Sequence, residues 1–303
     1  MKEATQSMAI QSKNAGKTTA SPSKKKALAD PVRASIDEAT QMMLSRAQKL
    51  GIDTVFDRAE AMKQCNIGVQ GTCCKNCGMG PCRLPLPKSG IDGEDTRKGL
   101  CGASANTIAA RNFIRMIAGG AAAHSDHGRG VAEVFMSAAR SESADYRIKD
   151  HNKLLAIAPY FDVATTVDAD GSSVDRDLGE IALEVAQKAL GEWGKSEGEL
   201  RYLKRAPAPL YEKWKKTGVL PRNIDREIVE IMHRTHIGVD QDYKNLMKQG
   251  TRAAIADGWG GSMLATDLQD VLFGTPYPLQ SEANLGVMKA DHVNIVIHGH
   301  EPI

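Results

Sequence analysis

Five of the six cysteines fall within "QCNIGVQGTCCKNCGMGPCRL", residues 64–84, and the sixth, Cys101, follows in "KGLCGAS". From Cys65 to Cys101 the spacing reads C-x7-C-C-x2-C-x4-C-x18-C, and no cysteine occurs from residue 102 onward. Thiols gathered this tightly read as metal ligands more readily than as disulfides when nothing marks the chain for export. The N-terminus, "MKEATQSMAIQSKNAGKTTASPSKKKALADP", is polar and rich in Ser, Thr and Lys. It has neither the apolar run of a signal peptide nor a twin-arginine pair, so the expected compartment is the cytoplasm.

Four thiolates hold either zinc or an iron–sulfur cluster. Structural zinc usually takes two compact CxxC pairs. Here Cys74 and Cys77 form one such pair, followed by Cys82 and, much later, Cys101. Gly71, Gly78 and Gly80 surround them, and glycine lets backbone N–H groups approach cluster sulfurs, which favours the cluster. The adjacent Cys73 and Cys74 point to opposite sides of an extended segment. If Cys74, Cys77, Cys82 and Cys101 form one complete set, Cys65 and Cys73 are half of a second. A two-fold axis supplies the other half from a second copy. The competing reading of Cys65 is an ordinary buried thiol.

The chain is 42% apolar and only 5% aromatic, with abundant Ala and Gly, which favours closely packed helices. A net charge of +2 without a basic, aromatic-studded face argues against nucleic acid. No run of 18 apolar residues predicts a membrane span. Residues 1–34 are expected to be a disordered tail, with "KKK" at 24–26 as a solvated charge run. Order is expected to begin at "SIDEATQMMLSRAQKLG", where Ser35 and Glu38 have capping-box spacing and Gly51 is a stop. Helical periodicity continues through "ANTIAARNFIRMIAGGAAAH", "GVAEVFMSAARS", "KDHNKLLAIAPYF", "LGEIALEVAQKALGEWG", "DREIVEIMHRTH" and "DYKNLMKQGTRAAIADGWGGSMLATDLQDVLFG". Met42, Met43, Met263 and Met288 read as core filler, and Gly119-Gly120 as a site of close helix packing or a kink. "GGAAAH" and "GWGGS" match no phosphate-binding fingerprint.

The end differs. "DHVNIVIHGHEPI" carries the β-branched run Val293–Ile297, which reads as a buried parallel strand ending in a site-forming loop. Its neighbours in a sheet are missing, and an orphan strand cannot satisfy its backbone. The expected architecture is mainly α: a helical iron–sulfur domain over 35–285, then, at 286–303, the first strand of a truncated Rossmann-like α/β domain. The chain thus reads as the front part of something longer.

The cysteine block, together with "GLCGASANTIAARN", "IAGGAAAHSDHGRGVAEV", "EIVEIMHRTHIGVD", "TDLQDVLFGTPYPLQSEANLGV" and "HVNIVIHGHEPI", resembles the N-terminal region of anaerobic nickel-containing carbon monoxide dehydrogenases over roughly residues 35–303. Hybrid-cluster proteins (hydroxylamine reductase-like) share the general architecture but lack the C-x7-C-C-x2-C arrangement. The resemblance implies a homodimer in which Cys65 and Cys73 of both copies hold a [4Fe–4S] or [2Fe–2S] cluster at the axis. It implies a [4Fe–4S] cluster on Cys74, Cys77, Cys82 and Cys101. It implies a nickel–iron–sulfur centre that oxidises CO with water to CO2, protons and two electrons, with a ferredoxin-like acceptor. His300, in "HGHEP", matches the family's iron-ligating histidine, and His298 shapes the loop. The gap from Cys82 to Cys101 is about five residues longer than the family's, an insertion a surface loop tolerates.

His124 and His127 have i, i+3 spacing, which puts both on one helix face, and histidine suits proton transfer near neutral pH. By resemblance His124 is the acid/base beside the nickel site and His127 the next step of a proton path. The next positions at that spacing are Gly130 and Glu133 rather than histidines, a departure from some members. His233 and His236 repeat the spacing but read as structural or surface residues. The family's remaining nickel ligands are cysteines, and none is left here, so the chain alone is expected to be inactive towards CO. Two other classes fit the residues: a stand-alone dimeric iron–sulfur electron carrier and a helical protein with structural zinc.

Overall fold

The computed structural model describes residues 28–62, 64–278, 280 and 291–295. It divides into two compact units, one containing the described residues up to 62 and from 291 to 294, the other containing those from Gln64 to Gln280 and Ile295. His298, His300 and Met288 lie outside the described residues.

The first unit carries three short helices, α1 (Pro31–Ala34), α2 (Glu38–Lys49) and α3 (Val55–Ala61). Each begins at a side chain that accepts an otherwise unpaired backbone N–H. For α2 that residue is Asp37, bonded to Thr40 N at 2.7 Å, rather than Ser35. Aspartate adjacent to the first turn does the capping, while the Ser35 hydroxyl accepts from Asp37 N at 3.1 Å. Gly51 ends α2 with φ +69°, a conformation that suits glycine. Met42 and Met43 are exposed and so are not core filler. Helix α1 lies in the stretch expected as tail.

The second unit begins with α4 (Asn66–Val69), then a two-residue hairpin of β1 (Cys73–Cys74) with β2 (Cys82–Arg83). The centre is α5, a 35-residue helix from Ala105 to Ala139. Ser104 caps it by accepting from Thr107 N. Buried residues recur every three or four positions (Ile108, Arg111, Ile114, Ala118, Ala121, Ser125, Gly128, Ala132, Phe135), giving one continuous buried stripe. The two helical patterns on either side of residue 125 are therefore one helix.

Around α5 pack α7 (Leu178–Gly194), α9 (Ile224–Arg234), α10 (Tyr243–Ile255) and α11 (Leu264–Phe273), with α6 (His151–Ile157) against α11 and α7, and α8 (Ala208–Thr217) peripheral. Short 3-10 turns follow α6 and precede α8. The main core joins Phe135, Phe161, Val185, Trp193, Tyr202, Ile224 and Leu268. Burying each large side chain contributes about 1.5–3 kcal/mol. A second patch packs Ile114 of α5 against Ile231 and Leu246.

Between α10 and α11 the chain widens into a π-helix, Ala256–Met263. Its glycines pack closely. A Cβ on Gly260 would lie 2.6 Å from Ile224, and one on Gly261 would lie 3.1 Å from His124 Cβ. By contrast Gly119 and Gly120 face open space, so they serve no close packing. The close approach expected there occurs instead at Gly128, where a Cβ would meet the Gly261 carbonyl oxygen at 2.9 Å.

An exposed hairpin, β3 (Thr166–Ala169) with β4 (Ser172–Asp175), closes through Asp170-Gly171, both at positive φ. The strand expected at Val293 does not form over the described residues. Val293 and Ile295 are 91% and 81% exposed, and no neighbouring strand among the described residues pairs with them. Without a partner, an extended segment gains neither ladder bonds nor burial. The mainly α character stands. No helix among the described residues is long and apolar enough to cross a membrane.

Candidate metal centre

Four cysteines line one hollow: Cys74, Cys77, Cys82 and Cys101, with Asn76, Leu100, Arg111, Thr235 and Ile237 completing the wall. The β1–β2 hairpin positions the first three. Residues 75–81 form its tight loop, closed by Gly80 N donating to Cys77 O, and Thr72 and Leu84 bond across its base. Gly80 has no room for a side chain, since a Cβ there would lie 3.1 Å from both Cys74 O and Cys82 N. Cys101 arrives from a separate turn held by Gly99 N donating to Ala103 O at 2.8 Å. Leu100 N donates to Cys82 Sγ at 3.5 Å, so the turn and the hairpin meet through a thiol.

The start of α5 fastens both pieces. Ile108, fully buried, packs with Cys74, Leu84 and Ala103. Asn112 Nδ2 donates to Gly71 O and Cys73 O at 2.8 and 2.9 Å. Arg111 Nη1 donates to Cys101 Sγ at 3.6 Å and Nη2 to Asp240 O at 2.8 Å. The loop after α9 adds Gln241, whose amide donates to Cys101 O.

Burial raises the Cys101 thiol. The Ala103 N–H, Arg111 and Gln241 outweigh it and leave the group below its usual range. Arg111 is itself only 1% exposed, and no carboxylate of the described residues pairs with it. A buried guanidinium without a carboxylate calls for negative charge close by. Four thiolates around a cluster supply it.

No three His, Cys, Asp or Glu side chains among the described residues converge tightly enough for a single metal ion. Zinc needs all its sulfurs about 2.3 Å from one centre, whereas a cuboidal cluster takes each thiol on a separate iron. The donor set fits the cluster.

Cys73 of β1 is paired with Arg83 of β2 and does not line the hollow, because successive strand residues face opposite ways. Cys65 is exposed, at the N-terminal end of α4. The backbone N–H groups of Gly68 and Ile67 hold its thiol below the usual value, and Arg83 and Lys75 add to this. Within this chain Cys65 is therefore not an ordinary buried thiol. None of the six cysteines is in a disulfide.

His124 and His127 do share a face, and both line a pocket with Gly261, Ser262, Thr266 and Gln269. His124 Nδ1 lies 2.6 Å from Asp257 Oδ1 of the π-helix. Gly130 and Glu133 are not part of that pocket. His233 and His236 are exposed. Sequence reasoning missed Arg111, Asn112, Asp257 and the 235–241 loop. The last sits inside "EIVEIMHRTHIGVD", a stretch already distinctive in sequence.

A family model described as Prismane/CO dehydrogenase matches residues 72–303. Carbon monoxide dehydrogenase 1 of Methanosarcina acetivorans is 49% identical over 271 residues, which are 89% of this chain and 41% of that protein. Carbon monoxide dehydrogenase 1 of Carboxydothermus hydrogenoformans is 43% identical over 274 residues, with 89% and 41% covered. A nickel-free crystal structure of carbon monoxide dehydrogenase from Thermococcus sp. AM4 superposes with a TM-score of 0.79 at 47% identity, covering 91% of this chain and 42% of that one. The chain thus spans about two fifths of the length of these relatives.

Proposed function

Because the chain belongs to the Prismane/CO dehydrogenase family, we propose that it supplies the electron-transfer clusters and part of the proton path of a carbon monoxide dehydrogenase. The reaction is CO + H2O → CO2 + 2H⁺ + 2e⁻. The observation that carries this reading is the four-thiol hollow with a buried arginine beside it whose Nε has no partner. Cys74, Cys77, Cys82 and Cys101 hold a [4Fe–4S] cluster. Cys73, on the other face of β1, and exposed Cys65 hold half of a cluster completed by a second copy, giving a homodimer. The compartment is the cytoplasm, which keeps such thiols reduced. A ferredoxin-like acceptor takes the electrons near the dimer axis.

When bound, a nickel–iron–sulfur centre supplies the site where CO and water are joined, and His300 is this chain's ligand to it. His124 holds and moves the proton. Asp257 accepts from Nδ1–H, which fixes the tautomer and leaves Nε2 free to take a proton released at the reacting centre. His127, on the same face, is the next station. With all six cysteines between positions 65 and 101, no thiol remains for the nickel centre. These 303 residues alone are therefore expected to show no CO-dependent viologen reduction.

The test is spectroscopic. The chain, reconstituted anaerobically with iron and sulfide and then reduced, should give the paramagnetic signal of a four-iron cluster. In a Cys65→Ser/Cys73→Ser background, which removes the shared cluster as a second source, Cys77→Ser and Cys101→Ser should abolish it. A wild-type chain without that signal, or a signal indifferent to both substitutions, refutes the assignment.

A further inference from the structure

Two buried side-chain nitrogens among the described residues have no hydrogen-bond partner, Asn76 Nδ2 and Arg111 Nε. Both residues line the cysteine hollow. Orphaned buried donors are rare, because each forfeits its hydration for nothing. Two in one hollow mark a missing acceptor. The direct partners of Arg111 account for its other nitrogens: Nη1 is on Cys101 Sγ and Nη2 on the Asp240 carbonyl. Neither orphan has protein left to bond.

We infer that Asn76 and Arg111 donate hydrogen bonds to the inorganic sulfides of the four-thiolate cluster and thereby raise its reduction potential. This rests on the cluster assignment above and goes beyond it by naming the residues that set the cluster's energy. Once the thiols are bound to iron, the inorganic sulfides join the thiolate sulfurs as acceptors inside the hollow. Taking up one electron adds one negative charge to the cluster. A hydrogen bond to sulfur and a nearby fixed cation both stabilise that added charge, so both favour the reduced form. Arg111 contributes charge and hydrogen bond together, in a site too buried for water to screen. Asn76 contributes a neutral hydrogen bond. The two effects therefore differ in size, with that of Arg111 larger.

The experiment is a redox titration of the reconstituted chain, followed through the reduced four-iron signal, on wild type, Asn76→Leu, Arg111→Met and Arg111→Lys. Iron content is measured on each. The midpoint should move to a lower potential in Asn76→Leu, further in Arg111→Met, and to an intermediate value in Arg111→Lys, which keeps charge but not the planar fork. After exchange into deuterated water, the wild-type signal should show deuteron couplings that weaken in Asn76→Leu and Arg111→Met. Variants with full iron and wild-type midpoints overturn the inference while leaving the cluster assignment intact. Absence of the four-iron signal from wild type overturns the assignment itself. If Arg111→Met fails to hold iron, Asn76→Leu and Arg111→Lys decide by the same criterion.

Discussion

Helix α5 contains two glycine environments that should answer the same substitution with opposite sign. Gly119 and Gly120 face open space, whereas a Cβ on Gly128 would lie 2.9 Å from Gly261 O and 3.2 Å from Trp193 Cζ2. Glycine to alanine in a helix interior gains about 1 kcal/mol of propensity wherever it is placed. At Gly119 nothing opposes that gain, so the expected change is a stabilisation of up to about 1 kcal/mol. At Gly128 the opposing atom is backbone in the π-helix, which cannot rotate aside. Overpacking of this kind costs about 1–3 kcal/mol, so the net effect is a loss of up to about 2 kcal/mol. Because propensity is common to both, the difference between the two variants isolates the clash. For a unit of this size about 1 kcal/mol corresponds to roughly 2–4 °C in Tm. Urea and thermal unfolding of wild type, Gly119→Ala and Gly128→Ala, followed by circular dichroism under anaerobic conditions, read it directly. Equal stability of the two variants would refute the argument that α5 and the π-helix touch through their glycines. It would also remove the support for how Asp257 is brought to His124.

Three further outcomes follow from the same structure. In the metal-free chain Cys65 should alkylate fastest of the six thiols, since it is exposed and its thiol is held low by the N–H groups of Gly68 and Ile67; peptide mapping after brief iodoacetamide treatment checks this, and metal loading should protect it. Asn112→Ala strands the carbonyls of Gly71 and Cys73; each lost bond costs about 1–3 kcal/mol where the group stays buried, and the variant should retain less iron at equal reconstitution. Burial raises the Glu230 carboxyl, but Arg222 and Arg234 outweigh it and hold it below the usual carboxylate range. Its contribution to stability is therefore present above the unfolded pKa of about 4.3 and lost as pH falls through the lower folded value. Glu230→Gln should be less stable at pH 7 by about 1–3 kcal/mol and show a shallower acid limb in denaturation between pH 5 and 2.

That Cys74, Cys77, Cys82 and Cys101 share one hollow was legible, because spacing and residue type group them. Opposite facing of Cys73 and Cys74 followed from strand geometry alone, and β1 has that geometry. Helices α7 and α9 were equally legible, their apolar periods being bounded by Asp177 and Asn223 caps. The hairpin at Asp170-Gly171 carried its signal in two residues and was overlooked. Arg111 and Asp257 were invisible for a physical reason. Arginine in an amphipathic helix reads as surface, and only tertiary packing reveals that this one is buried with a vacant donor. Asp257 meets His124 across 133 residues, through a π-helix that no periodicity announces. Gly119-Gly120 misled because a glycine pair looks like a packing device, yet small residues at Gly128, Gly250 and Gly260 do that work. The Val293 run carried the β-branched composition of a strand; Val293 and Ile295 are exposed, and the rest of the expected strand and loop lies outside the described residues.

Iron and zinc counted together on the anaerobically purified chain, with its mass in solution, test the central claim most directly. The expected result is a dimer with no zinc and about six irons per chain if the shared cluster holds four irons, or about five if it holds two. Roughly one zinc per chain and no iron would contradict it, and would leave a helical protein stapled by a structural metal.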